Sequence, residues 1–161
     1  MIVADGIELI DGTVANAYLA EISGHYILVD CGTPGTGRKI VKFLENKKIR
    51  PETVLITHYH PDHIGGLYKI YTEYRPEIFV PDGELNIING RSGPENSRVL
   101  PKFFAFLLRS PEVSDINPVS SMRIDGISHI STPGHTIDST SYAISGGILF
   151  SGDAAVNRHG K

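Results

Sequence analysis

The chain has 161 residues, 40% of them hydrophobic and 20% charged, which is typical of a single folded domain, and we treat residues 1–161 as one. Its 15 basic and 18 acidic residues give a net charge of −3, which argues against nucleic acid as a partner. No apolar run reaches the roughly 20 residues of a membrane helix. We expect no secretory leader, because residues 1–5 already predict a short strand, and the single cysteine, Cys31, has no internal partner. We therefore expect no membrane partner and a cytoplasmic location.

Strand and helix patterns alternate along the first part of the chain. Residues 1–5 predict a short strand, and residues 15–22 and 25–30 predict two strands joined by a tight Ser-Gly turn. Residues 34–47 predict a helix, because apolar side chains recur at helical spacing after a Gly-Thr-Pro-Gly start. Residues 53–56 predict a short buried strand. The alternation indicates an α/β protein.

The pattern continues with a helix over 67–74, which ends before Pro76, and a strand over 78–80. Residues 99–108 predict a helix with an unusually apolar surface. This surface could belong to the core, line the substrate site or form a contact in a homo-oligomer. Its large apolar residues are Phe103, Phe104, Phe106, Leu107 and Leu108. Short strands with glycine turns follow, over residues 122–124, 127–130, 140–144 and 148–150.

Residues 57–63, with the sequence THYHPDH, contain three of the seven histidines and one aspartate. Imidazole and carboxylate are ligands that suit zinc and related cations, and such a site needs at least three of them at about 2.0 to 2.2 Å from the ion. If His58 and His60 are extended, their offset of two residues points both rings to one side. Pro61 then ends the strand, and Asp62 and His63 can turn towards a second ion.

Two later motifs also follow predicted strands. His135 lies in the sequence TPGHT of residues 132–136, and Asp153 lies in SGD of residues 151–153. Each is next to a glycine, which allows close backbone approach, and loops at strand ends are where sites are usually built. His25 and His129 have no second ligand type beside them, so we interpret them as ordinary surface histidines.

Taken together, these motifs resemble the metallo-β-lactamase superfamily. Residues 58–63 match its HxHxDH signature, residues 132–136 are similar to its TPGHT motif, and residues 151–154 are similar to its GD motif. Asp30, in the sequence VDCG, is similar to its early strand-end aspartate. The resemblance covers nearly the whole chain and implies an αβ/βα sandwich, in which two mixed sheets lie face to face with helices outside.

The resemblance also implies a site for one or two zinc ions, with iron or manganese as alternatives. It implies that a first metal is held by His58, His60 and His135, a second by Asp62 and His63, and that Asp153 bridges the two. Asp62 would in addition orient the attacking hydroxide or accept its proton. Asp30 would accept a hydrogen bond from a ligand imidazole, although a plain turn role for this residue stays open.

The sequence departs from the family at its carboxyl end. Members usually continue past the GD motif with another strand, a helix and a final histidine that completes the second metal site. This sequence ends eight residues after Asp153, and His159 is too close to Asp153 to be expected as that ligand. We therefore expect a sandwich that lacks the last strand and helix, with the second metal site dependent on a missing partner.

Three functions remain open. The first is a metal-dependent hydrolase that attacks an ester, thioester or lactam-like carbonyl of a small molecule through a metal-bound hydroxide, with a glyoxalase II-like thioesterase favoured. The second is an oxidoreductase similar to the mononuclear iron persulfide dioxygenases, for which His58, His135 and Asp153 would supply the three ligands. The third is an inactive metal-binding remnant.

Overall fold

The structure is a computed structural model that describes residues 1–89 and 115–155. Ten strands in these residues form two sheets. The larger sheet has seven strands in chain order: β1 (Ile2–Ala4), β2 (Ile7–Leu9), β3 (Tyr18–Ile22), β4 (His25–Val29), β5 (Thr53–Leu55), β6 (Glu77–Val80) and β7 (Ile116–Pro118). The smaller sheet has the order β10-β9-β8, formed by β8 (Ile127–Ser131), β9 (Thr140–Ile144) and β10 (Ile148–Phe150).

Four α-helices lie between the strands: α1 (Pro34–Lys47), α2 (Pro61–Ile64), α3 (Leu67–Tyr74) and α4 (Leu85–Ile88). The Thr33 side chain caps α1 by accepting a hydrogen bond from the Thr36 backbone N–H, and a proline at the start fits the first turn. Lys48 ends α1 in the left-handed conformation, with φ of 58°. None of the helices in residues 1–89 and 115–155 has the length and apolar character needed to cross a membrane.

Two hydrophobic cores hold the layers together. One lies between the larger sheet and α1 and α3, where Ile40, Leu44 and Ile70 are fully buried. The other lies between the two sheets, where Tyr142 of the smaller sheet packs with Leu55 and its neighbours from the larger one. The expected α/β fold with two sheets face to face is therefore confirmed, and the described helices pack on the larger sheet.

The strand directions bring several loops to one edge of the molecule. Strands β4, β5, β6 and β7 pair in parallel, so their carboxyl ends lie along the same edge of the larger sheet. In the smaller sheet, antiparallel pairing places the ends of β8 and β10 beside the start of β9. The Thr140 N–H donates to the Thr57 carbonyl at 2.9 Å, which joins the two edges.

Most long elements predicted from the sequence are confirmed. The predicted helices over 34–47 and 67–74 are α1 and α3, and the predicted hairpin is β3 and β4, whose turn residues Ser23 and Gly24 both have positive φ. The predicted strand over 122–124 is wrong, because the Met122 N–H donates back to the Val119 carbonyl and closes a 3₁₀ turn instead. The predicted helix over 99–108 lies outside the described residues.

The sequence did not predict four short elements: β2, β7, α2 and α4. Each has three or four residues, which is too few for a hydrophobic period to be recognised.

A close backbone contact attaches α1 to the segment after α2. A Cβ added to Gly66 would lie 2.1 Å from the Cys31 carbonyl oxygen and 2.8 Å from the Gly37 Cα of α1. The Cys31 N–H donates to the His63 carbonyl at 2.6 Å, and the Gly66 N–H donates to the Gly32 carbonyl at 3.1 Å. The backbone around His63 is thus held against the loop that follows β4.

We predict that Gly66→Ala lowers the free energy of unfolding by about 1 to 3 kcal/mol or more, because the added methyl group overlaps backbone atoms. Urea denaturation measures this change. The control is Gly35→Ala in α1, where the nearest atom to an added Cβ is 3.9 Å away and the stability should be unchanged or slightly higher. Equal stability of the two variants would contradict the proposed close contact.

Candidate metal centre

The side chains predicted for the site come from loops at the shared edge of the two sheets. Asp30 follows β4, and residues 57–60 connect β5 to α2. His135 lies between β8 and β9, and Asp153 follows β10. These segments are far apart in sequence but adjacent in space, because the sheet pairing gathers their strand ends.

The first group of possible ligands consists of His58, His60 and His135. One ring nitrogen of each lies within 4.8 Å of the others. The His135 Nε2 and His60 Nδ1 atoms are 2.9 Å apart, and the centroid of the His58 ring is 4.7 Å and 4.8 Å from those of His60 and His135. His58 is fully buried, whereas His135 is exposed, so the group is open to solvent on one side.

The second group consists of His58, His63 and Asp153, whose ligand atoms also lie within 4.8 Å of one another. One carboxylate oxygen of Asp153 is 3.4 Å from the His63 Nε2, and the other is 3.5 Å from the His135 Nε2. Asp153 therefore faces both groups, which is the arrangement that a bridging ligand requires.

Asp30 orients His63 from the buried side. Its Oδ2 atom accepts a hydrogen bond from the His63 Nδ1 at 2.8 Å, and its two oxygens also accept from the backbone N–H and the hydroxyl of Thr57 at 2.9 and 2.8 Å. A carboxylate only accepts hydrogen bonds, so His63 carries a proton on Nδ1 and directs Nε2 towards the second group. Burial lowers the pKa of His63, but the hydrogen bond and charge of Asp30 outweigh it and raise the pKa.

Thr57 fixes His58 in a similar way. Its hydroxyl donates to Asp30, which leaves the oxygen to accept from the His58 Nδ1 at 3.0 Å. The neighbouring Gly152 has φ of 51°, and a Cβ there would lie 2.7 Å from the Thr57 side chain. Glycine is therefore required where the loop carrying Asp153 packs against Thr57.

The unprotonated nitrogens of the two buried histidines fit a metal ion. The Nε2 atoms of His58 and His63 are buried and have no hydrogen-bond partner within the described residues. Burial, together with His63, His60 and His135, lowers the pKa of His58 to about 2, and burial and His135 also lower the pKa of His60. Neutral imidazoles with free lone pairs are the form that binds divalent transition cations.

Asp62 belongs to neither group of ligand atoms. It is half-buried in α2, and its charge contributes to the raised pKa of His63 and offsets part of the lowering of the His60 pKa. Consecutive helix residues point about 100° apart, so Asp62 and His63 leave α2 in different directions. The resemblance pairs Asp62 with His63, whereas the structure groups His63 with His58 and Asp153.

Glu84 is a site residue that the sequence reasoning missed. Its side chain is completely buried after β6, where it accepts hydrogen bonds from the Tyr59 N–H at 2.7 Å and from the Thr136 hydroxyl. Burial raises the pKa of Glu84, and the hydrogen bonds from Thr136, Tyr59 and Asp138 partly offset the rise. The sequence PDGE after a buried strand was the only signal, and it is equally typical of a surface turn.

The other histidines of the described residues lie outside both groups. His25 pairs with Glu52 at 2.7 Å on the surface, and His129 is exposed on β8. These positions agree with the interpretation of both as surface residues. His159 lies outside the described residues.

Two cavities flank the site. One of about 460 Å³ is lined by His63 and Asp153 together with apolar residues that include Tyr18 and Phe150. The other, of about 500 Å³, is lined by His135 and its loop and by Tyr59 and Ile87. Small molecules can therefore approach both groups of ligand atoms.

The family model described as the metallo-beta-lactamase superfamily matches residues 10–160. The chain is 29% identical over 150 residues to the probable metallo-hydrolase YqgX of Bacillus subtilis. The match covers 86% of this chain and 67% of YqgX. It is 25% identical over 138 residues to the hydroxyacylglutathione hydrolase of Chromohalobacter salexigens, covering 83% of this chain and 44% of that enzyme. The chain thus spans less than half the length of that relative.

A solved structure of similar fold is that of TTHA1623 in a di-iron-bound form. The TM-score is 0.71 with 22% sequence identity, and the match covers 93% of this chain and 72% of the other. At this identity, the likeness supports the shared fold.

We predict that His58→Ala and His135→Ala each weaken zinc binding at least about 100-fold, because each removes a nitrogen from the first group. Titration of the metal-free protein with zinc by calorimetry measures the affinity. His25→Ala is the control, since this exposed histidine contacts Glu52 rather than the site. Equal loss of zinc in all three variants would refute the assignment.

We predict that Asp30→Asn selectively weakens metal binding at the second group. The side-chain amide can donate where the Asp30 Oδ2 now accepts, which would shift the proton of His63 from Nδ1 to Nε2 and block that ligand atom. Metal content after dialysis should fall while the first group stays loaded. Glu52→Gln is the matched control, because it alters an exposed carboxylate paired with His25. An unchanged metal content in Asp30→Asn would exclude this orienting role.

Proposed function

Because the chain belongs to the metallo-beta-lactamase superfamily, we propose that it is a metal-dependent hydrolase of a small molecule with an ester, thioester or lactam-like carbonyl. The observation that carries this proposal is the pair of ligand groups that share the buried His58 and both face Asp153. Zinc is the proposed cation, since histidine and carboxylate ligands suit it.

Of the six ligands that the resemblance implies, the five proposed here are His58, His60, His63, His135 and Asp153, because the Asp62 carboxylate belongs to neither group of ligand atoms. When bound, divalent cations would lower the pKa of a water molecule and neutralise the negative charge that develops on a carbonyl oxygen. Asp153 contributes one oxygen towards each group, so it keeps the two positions in a fixed relation. Asp30 holds the proton of His63 on Nδ1 and thereby keeps Nε2 directed into the site.

Asp62 is proposed to orient the attacking water and to accept its proton. Its carboxylate lies outside both compact groups of ligand atoms, yet it is close enough for its charge to contribute to the raised pKa of His63 and to offset part of the lowering of the His60 pKa. A half-buried carboxylate beside the site can take a proton during attack and release it to solvent afterwards.

A thioester is the favoured substrate class. Relatives named hydroxyacylglutathione hydrolase support this choice, since a hydroxyacylglutathione is a thioester. Two cavities, one lined by Asp153 and the other by His135, offer room for the acyl and leaving groups. An iron-dependent oxidoreductase is less well supported, because the relatives reported above are named metallo-hydrolase and hydroxyacylglutathione hydrolase.

The decisive measurement combines metal content with two activity assays on protein purified without added metal. We expect bound zinc and hydrolysis of an S-acylglutathione, followed through release of the free thiol. One bound iron with oxygen consumption would favour the oxidoreductase instead, and bound metal with neither activity would favour an inactive remnant.

The Asp62→Asn variant separates proton transfer from metal binding. We expect its kcat to fall roughly 100-fold or more, as for loss of a general base, with little change in zinc content. His25→Ala is the control and should retain both the activity and the zinc of the wild type. Loss of one zinc in Asp62→Asn would instead identify Asp62 as a ligand.

A further inference from the structure

A buried carboxylate connects the two loops that supply the first group of histidines. The Glu84 Oε2 accepts from the backbone N–H of Tyr59, which lies between His58 and His60. The other oxygen accepts from the hydroxyl of Thr136, the residue after His135. One side chain therefore contacts both loops, at positions next to the proposed ligands but not at the ligands themselves.

The chemistry of this contact favours a carboxylate over a packing residue. Glu84 is completely buried, and burying an ionised carboxylate is costly unless several donors surround it. Here the donors are the backbone N–H groups of Tyr59 and Asp138 and the hydroxyl of Thr136. An apolar side chain of similar volume would fill the space but would leave the Tyr59 and Asp138 N–H groups without this acceptor, and the Thr136 hydroxyl with the Ser139 Oγ as its remaining partner.

The tip of the loop that carries His135 has open space around Gly134. This residue has φ of 147°, and no atom lies within 4 Å of a Cβ added there. Apart from Glu84, the described residues join the two loops through the hydrogen bond from the Thr140 N–H to the Thr57 carbonyl, at the base of the loop, and through the contact of 2.9 Å between the His135 Nε2 and the His60 Nδ1. Glu84 acts closer to the tip, beside His135.

We propose that Glu84 is a positioning residue that holds the His58–His60 loop and the His135 loop at the separation required for metal binding by the first group. This inference rests on the proposed metal centre. It requires no contact between Glu84 and the ion, because the effect passes through the Tyr59 backbone and Thr136. The Glu84 bridge, meaning these two hydrogen bonds, thus sets both the affinity for the ion and its ligand geometry.

Titration of the metal-free protein with cobalt(II) tests the proposal, because the visible spectrum of bound cobalt reports ligand geometry. Glu84→Met removes both hydrogen bonds of the Glu84 bridge, and Thr136→Val removes the Thr136 half, in each case without removing a proposed ligand. We expect each to weaken cobalt binding about tenfold to 100-fold and to change the spectrum. The double variant should bind cobalt only slightly more weakly than the single variant with the lower affinity, since both substitutions remove the same contact between Glu84 and Thr136.

The Glu84→Gln variant provides a conservative rescue. Its amide oxygen can accept from the Tyr59 N–H, and its NH₂ group can donate to the Thr136 hydroxyl, which also accepts hydrogen bonds. We therefore expect cobalt affinity much closer to that of the wild type than in Glu84→Met. General destabilisation of the protein would predict neither the recovery of cobalt affinity in Glu84→Gln nor a changed cobalt spectrum in Thr136→Val.

Tyr71→Phe is the control for loss of a hydrogen bond at a distance from the site. It removes the bond from the Tyr71 hydroxyl to the Asp115 carboxylate, on the helical side of the larger sheet, and should leave the cobalt spectrum and affinity unchanged. Cobalt affinity and spectrum at wild-type values in a folded Glu84→Met or Thr136→Val variant would overturn the proposal. So would an equal effect of Tyr71→Phe, or a wild-type protein that binds no cobalt.

The outcome for Glu84 is separable from that for the proposed hydrolase, because cobalt binding needs no substrate. A wild-type protein that binds cobalt in a Glu84-dependent manner but hydrolyses no ester, thioester or lactam supports the positioning role. That same result would overturn the proposed reaction.

Discussion

The site depends first on the Asp30 carboxylate, which is buried at the end of β4 in a left-handed conformation with φ of 60°. Three donors from two other segments satisfy it: the backbone N–H and hydroxyl of Thr57 and the Nδ1 of His63. Loss of these donors would leave a buried charge unpaired at a cost of several kcal/mol, so the three hydrogen bonds are strongly favoured in the folded state. They fix the end of β5 and the start of α2 relative to β4, and His58 and His63 take their positions from them.

The metal-ligand motifs were predictable because their chemistry is local. Three histidines and an aspartate within residues 57–63 indicate a metal site whatever the fold, and the long helix α1 is visible from its own periodicity and cap. The sequence alone did not predict which side chains belong to the first group of ligand atoms and which to the second. The structure places His58 in both groups and Asp62 in neither, which depends on the direction in which α2 leaves the strand.

The Glu84 bridge illustrates what single-sequence reasoning lacks. Its two hydrogen bonds span 25 and 52 residues along the chain, and although Tyr59 and Thr136 lie inside the ligand motifs, Glu84 itself lies in none. The backbone N–H of Tyr59 has no sequence signature at all. Such a contact becomes visible only when the ends of β6 and β5 and the loop before β9 are brought to one edge.

The electrostatics of the assembled edge favour a cation over protons. The low pKa of the buried His58 follows from desolvation and from the surrounding histidines, so protonation there would set like charges against each other. Asp153 nevertheless places a carboxylate beside His63 and His135, where an unneutralised negative charge is also unfavourable. A divalent cation among these groups would accept the lone pairs of neutral imidazoles and balance the carboxylate at the same time. The proposed metal site would thus account for the convergence of four histidines and an aspartate, which neither hydrophobic packing nor ordinary ion pairing explains.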